Sequence, residues 1–178
     1  MPLIEPLPAS LQLFLNRRSC RAYLPEPLPS NHLEWLCEVL RWTPSAGNRQ
    51  PWHFYVILND QIKQALSHAA RQSFLMQAPL VFVICALPEQ SAARYGARGR
   101  ELYVLQDTAA AVQNLLLAAT ALDYGTCWVG AFDEQEVQKV LNLSPERRPV
   151  ALVPVGKPSK MPAAPSRLNQ DKIVTVLE

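Results

Sequence analysis

Eight consecutive residues, Leu80-Val81-Phe82-Val83-Ile84-Cys85-Ala86-Leu87, are apolar without exception. Pro79 introduces the run and Pro88 closes it. A short apolar run bounded in this way reads as a strand whose two faces are both covered. It belongs at the centre of a sheet with cover above and below. At 178 residues the chain is long enough for one domain to bury such a core.

The strongest helical pattern lies downstream. From Arg100 to Tyr124, Leu102, Leu105, Ala109, Val112, Leu115, Leu116, Ala119 and Leu122 recur at helical spacing, and Gly125 stands where a left-handed C-terminal cap belongs. A helix this apolar is expected at the domain centre or in a subunit interface. Ser10 is the expected N-cap of a helix over 11–18, and Ser30 that of a helix presenting Leu33, Leu36, Cys37 and Leu40. Trp52 to Leu58 alternates as a strand, Asn59-Asp60 turns and caps, and a helix follows over 61–71. The polar stretch 88–99, with Arg94, Tyr95 and Arg98, reads as a loop, either a lid or a plain surface connection. Asp133 and Glu136 form a capping box for a helix to about Leu141. Pro149–Gly156 reads as a strand whose interior Pro154 asks for an edge or a bulge. The segment 157–171 is proline-rich, and Lys172–Leu177 carries a strand signal with nothing local to pair with. The organisation expected is one domain over 1–178, with 157–178 as an extended C-terminal arm.

Several classes are excluded early. Seventeen basic against fifteen acidic residues leave a net charge of +2, and the arginines come in small groups, so no nucleic-acid partner is expected. No segment reads as a signal peptide or reaches membrane-spanning length, and Cys20, Cys37, Cys85 and Cys127 show no C-x-x-C spacing. Free thiols in a reducing compartment, a cytoplasmic location and no membrane partner are the expectations. His32, His53 and His68 lack metal-ligand spacing, and no P-loop, G-x-S-x-G or G-x-G-x-x-G is present.

Three polar segments interrupt the apolar patterns. In Asn16-Arg17-Arg18-Ser19-Cys20-Arg21 a cluster of cations and hydroxyls falls directly before a proline-rich turn, a combination suited to an anion. In Thr43-Pro44-Ser45-Ala46-Gly47-Asn48-Arg49-Gln50-Pro51, two prolines stiffen a loop of small and amide side chains that other atoms can approach closely. The third, Gly125-Thr126-Cys127-Trp128-Val129-Gly130-Ala131-Phe132-Asp133, follows the long helix.

In this order and spacing the three segments resemble the nitroreductase family of FMN-dependent oxidoreductases, over residues from about Leu11 to the C-terminus. The resemblance implies an α+β fold: a central, mostly antiparallel sheet flanked by helices, with the C-terminal arm wrapping a partner subunit and adding a strand to its sheet. It implies a homodimer. Arg17 and Ser19 would hold the FMN phosphate and adjoining ribityl oxygens, with Arg18 in the same strip and Arg21 near the pyrimidine side of the ring. Pro44, Ser45, Ala46 and Asn48, with Gln50, match the loop that reaches the flavin from the other subunit. Val129 and Gly130 match the turn packed against it, where the Gly130 N–H would face N5. Arg167 matches a late basic residue, a second phosphate candidate. Gly130 departs from the acidic residue often found there, so acceptor preference does not carry over. The implied chemistry is ping-pong hydride transfer from NADH or NADPH, through FMN, to a small electron-poor acceptor such as a nitroaromatic or quinone. The cofactor carries that reaction, so no catalytic side chain is named. A specialised flavoenzyme of the same fold, or a flavin-binding protein without turnover, stays open on these residues.

Overall fold

Four strands form one antiparallel sheet in the order β1-β2-β4-β3: β1 Trp52–Ile57, β2 Leu80–Ala86, β3 Gly125–Thr126 and β4 Arg148–Gly156. The computed structural model describes residues 7–177; residues 1–6 and 178, the two ends of the domain read over 1–178, lie outside the described residues. The apolar run forms the second strand as far as Ala86, and all seven strand residues are buried. Its alternation divides the core into two layers. Val81, Val83 and Cys85 pack with Leu66, Ala70 and Val137 on one face; Leu80, Phe82 and Ile84 pack with Leu36, Leu40, Val112 and Leu115 on the other.

Among the described residues there are six α-helices, α1 Ala9–Asn16, α2 Ser30–Arg41, α3 Asp60–Ala70, α4 Pro88–Arg98, α5 Val104–Ala121 and α6 Glu134–Val140; α3 and α6 cover the first face, α2 and α5 the second. Asn59 caps α3, its side chain accepting from the Ile62 N–H at 3.0 Å. Asp133 caps α6 through the Glu136 N–H at 3.0 Å, while the Glu136 carboxylate pairs with Lys139 at 2.8 Å instead of closing the box. Ser10 and Ser30 are not caps. Pro8 and Pro29 hold the cap positions with extended backbone, and both serines lie inside the first turn. On α2 the buried stripe runs through Leu36 and Leu40, which leaves Cys37 exposed.

The stretch 88–99 is a helix rather than a loop. Pro88 at its first turn and Glu89 beside it suit a helix start, and the glycines that suggested a break have other uses. Gly96 takes φ 56° and ψ −139°, a kink after which the chain passes through a π-helical turn, Gly99–Tyr103, straight into α5. A Cβ on Gly99 would lie 2.6 Å from the Ser91 carbonyl oxygen, so the turn closes tightly on α4. Nor does Gly125 end the long helix. Asp123 takes the left-handed conformation there (φ 60°), and Gly125 opens β3, where a Cβ would sit 2.7 Å from Cys20 Cβ.

Strand β4 is paired on both sides, yet it tolerates Pro154. Leu152 exchanges both backbone hydrogen bonds with Val129 at 2.9 Å. Pro154, two residues on, turns its missing donor the same way, into the gap between that bridge and the two-residue β3. A bulge between Ile84 and Cys85 adjusts the register opposite Pro149. Beyond β4 the arm is exposed. Residues 172–177 form no ladder within the single chain, and Val176 and Leu177 are 76% and 91% exposed.

Candidate functional site

The first and third polar segments meet at the sheet edge. Ser19 bridges Thr126 in parallel, and the Cys20 N–H donates to the Thr126 carbonyl at 2.7 Å. Tyr23 locks the turn from within, its hydroxyl donating to the Cys20 carbonyl at 2.6 Å, and its burial pushes that hydroxyl's pKa up. Burial also raises the Cys127 thiol, opposed by the guanidinium of Arg21 and, more weakly, of Arg17. Both arginines therefore stand near the buried end of β3. Arg21 also lies over the Phe74 ring at 6.0 Å. No carboxylate lies within 4.0 Å of either guanidinium among the described residues.

Arg18 turns back on α1, donating to the Leu15 carbonyl and, at 2.8 Å, to that of Arg17. Val129 is buried through its bridge to Leu152, so Gly130 emerges at the surface next to it. A Cβ on Gly130 would meet nothing within 4 Å, and its N–H donates to no other backbone group among the described residues. One end of this region thus offers cations without carboxylate partners; the other offers, on an exposed glycine, a backbone amide with no backbone acceptor.

The loop 44–50 is built differently. Gly47, Asn48 and Gln50 all take left-handed backbone, with φ of 54°, 52° and 50°. Two turns within the loop hold them, Asn48 N–H to Ser45 carbonyl at 2.9 Å and Arg49 N–H to Ala46 carbonyl at 3.1 Å. The Trp52 N–H also donates to the Gln50 carbonyl at 2.9 Å, and side chains add further ties. Ser45 Oγ accepts from the Gln50 N–H at 2.9 Å, and Gln50 Nε2 donates to Asn48 Oδ1 at 3.3 Å. Gln90 of α4 donates to the Arg49 and Gln50 carbonyls at 2.7 and 3.2 Å. Asp107 of α5 accepts from the Ala46 N–H at 3.1 Å. Pro44 is exposed and half-buried Ser45 lies beside it, leaving this rim open to a second molecule.

Asp107 escaped the sequence reading, although one carboxylate in so apolar a helix is a signal. It is 7% exposed, its Oδ2 has no hydrogen-bond partner, and burial raises its pKa against the pull of the Ala46 N–H. Arg167, on the exposed arm, donates to the Ser166 carbonyl at 3.2 Å. His53 is half-buried with its ring 4.7 Å from that of Tyr55, and no cluster of three metal-ligating side chains occurs among the described residues.

The site thus combines a layered α+β sheet, a cationic edge beside a backbone amide with no backbone acceptor, and a separate polar loop. The nitroreductase family model matches residues 15–74 and 63–157. A protein of Archaeoglobus fulgidus named NADH dehydrogenase/NAD(P)H nitroreductase is 34% identical over 132 residues, 74% of this chain and 72% of its own. The oxygen-insensitive NADPH nitroreductase of Helicobacter acinonychis is 25% identical, over 93% and 95% of the two chains. Among solved structures, a nitroreductase family protein of Clostridium difficile superposes with a TM-score of 0.81 at 29% identity, covering 93% of this chain and 96% of that one. NfrA1 nitroreductase of Bacillus subtilis, 22% identical, shares the fold at a TM-score of 0.86, over 93% and 73%. The chain belongs to the nitroreductase family.

Proposed function

We propose that this protein is an FMN-dependent oxidoreductase that passes electrons from NADH or NADPH to a small electron-poor acceptor, a nitroaromatic or quinone, and that it works as a homodimer. Membership of the family and the nitroreductase names of its relatives support the oxidoreductase reading. The observation that carries the cofactor reading is the sheet edge itself: Arg17 and Arg21 without carboxylate partners, joined through Cys20 and Thr126 to a turn whose Gly130 amide is free. A phosphate suits the first group and a ring nitrogen acceptor the second, so the residues present fit FMN.

When bound, FMN supplies the two-electron chemistry between donor and acceptor. The chain's part is to hold and bias it. Arg17 and Ser19 bind the phosphate end, with Arg18 in the same strip and Arg167 a second candidate from the arm. Arg21 favours extra negative charge on the ring by Coulomb attraction. Val129 packs against the ring, and the Gly130 N–H donates to its edge. No acid or base side chain is required.

The loop 44–50 makes its ties to α4 and α5 and none to the arginine strip. Its Pro44, Ser45, Ala46, Asn48 and Gln50 therefore serve the site of a second copy. Exposed apolar groups support that pairing: Phe14 and Trp42 lie 56% and 73% open near the groove between α1, α2 and α5, and the arm carries Ile173 and Val176 outward. The arm then supplies a strand to the partner's sheet. Among the described residues no helix is long and apolar enough to cross a membrane.

The test is direct. The purified protein should be yellow, release FMN on denaturation, scatter light as a dimer, and oxidise NADH or NADPH faster when a quinone or nitroaromatic is added. A colourless protein that takes up no added FMN overturns the reading. A stable monomer with bound FMN overturns the shared site alone.

A further inference from the structure

The arginines of α4 take no part in the cofactor contacts above, and their surroundings set them apart from ordinary surface charge. Arg94 lies 5.5 Å over the Tyr95 ring and Arg98 lies 5.3 Å over the Tyr103 ring. Arg98 Nε donates to the Tyr103 hydroxyl at 2.9 Å, and the two tyrosine rings meet edge to face at 5.1 Å. This network spans the Gly96 kink and the π-helical turn and keeps both guanidiniums beside aromatic rings, with no hydrogen bond from their terminal nitrogens among the described residues. It also presses on the loop. A Cβ on Gly47 would strike the Tyr95 hydroxyl and lie 3.1 Å from Arg94 Nη1. Arg49, on the same loop, donates its Nε to the Gln90 carbonyl of α4 at 3.1 Å.

Arg49 and Arg94 thus stand at the junction of α4 and the loop, and Arg98 is linked to them through the Tyr103 and Tyr95 rings; no carboxylate lies within 4.0 Å of any of the three among the described residues. The contrast with Arg100 is instructive. It takes both oxygens of Glu89, at 2.7 and 2.6 Å, which leaves α4 no acidic group for the others. Uncompensated cations preorganised on aromatic rings suit a phosphate, whose oxygens match the guanidinium fork. Quinones and nitroaromatics carry no such group; the nicotinamide donor does.

We infer that Arg94 and Arg98, assisted by Arg49, seat a phosphate group of the nicotinamide dinucleotide donor. This rests on the reading that the loop 44–50 borders the flavin. Two phosphates are available: the 2′-phosphate, present only in NADPH, and the pyrophosphate, present in both donors.

The experiment compares the wild-type holoenzyme with Arg94→Ala, Arg98→Ala and the double variant. Steady-state rates are measured with NADPH and with NADH at fixed quinone, and 2′,5′-ADP and 5′-AMP are titrated by calorimetry. The KM for NADPH should rise about tenfold or more in the double variant, the cost of losing one or two charge-assisted contacts. A rise for NADPH alone, with weakened 2′,5′-ADP binding and unchanged 5′-AMP binding, assigns the 2′-phosphate. Equal rises for both donors assign the pyrophosphate. Unchanged KM for both donors in a double variant that keeps its FMN overturns the inference. If the wild type binds no FMN, the cofactor reading fails, and equal 2′,5′-ADP affinity in the wild type and double variant would then sink the phosphate seat separately.

Discussion

The arginine strip with its Gly125–Gly130 turn and the loop 44–50 are both proposed to hold the cofactor, yet they are fastened in opposite ways. The strip is laced to the sheet by main-chain bonds, Cys20 to Thr126 and Val129 to Leu152. Its side chains are therefore left over for a ligand. The loop owes much of its shape to side chains, Ser45 Oγ, Gln90 Nε2 and Asp107 Oδ1, and to one glycine that admits Tyr95. Backbone fastening separates binding from stability; side-chain fastening couples them. Substitutions should respect that difference.

The largest effect is expected at the strip. Arg17→Ala should weaken FMN by about 1.5–3 kcal/mol, the range for a hydrogen bond to a charged group, with the melting temperature of the apoprotein unmoved. Fluorescence titration and thermal unfolding decide it, and a parallel loss of apoprotein stability would break the comparison. Next comes Gly47→Ala, which puts a side chain in left-handed backbone at about 1–2 kcal/mol and also pushes Tyr95 aside. Urea unfolding should show that loss even without FMN.

Gln90→Ala removes two bonds to loop carbonyls at an exposed site and should cost about 1 kcal/mol. Faster amide exchange over 46–50 with the sheet unaffected would sharpen the distinction; unchanged exchange would count against it. Asp107→Asn is the smallest in size and is read through pH. Burial raises this carboxyl's pKa, so the folded chain holds the proton more tightly than the unfolded chain. Its contribution is full below the unfolded value and is lost as pH rises through the folded one. The wild type should therefore lose stability relative to Asp107→Asn as pH rises above about 4, the ordinary value for an aspartate. A constant difference in melting temperature across that range would show that Asp107 does not titrate on folding.

Legibility in the sequence followed the range of the interactions. Asn59 and Asp133 were readable as caps because their partners lie three residues away. The arginine cluster 17–21 and the loop 43–51 stand out in the sequence because cations and amides there interrupt apolar patterns. Gln90 and Asp107 were not, since they act on a loop 41 and 61 residues distant in sequence. The helix over 88–98 was misread for a related reason. Gly96 and Gly99 look like breakers in isolation, but one makes a kink and the other a close approach to Ser91. Ser10 and Ser30 failed as caps because the prolines before them already set the entry of the chain.

Two strand-like segments show where local pattern stops. Leu80–Ala86 and Lys172–Leu177 both carry strong β signals, yet the first is wholly buried and the second lies open along the arm. Composition and periodicity determined that each prefers an extended backbone and an apolar neighbour. Only the tertiary structure decided which obtained them. A strand needs hydrogen-bond partners on its flanks and cover on its faces; β1 and β4, with helices above and below, give both to β2.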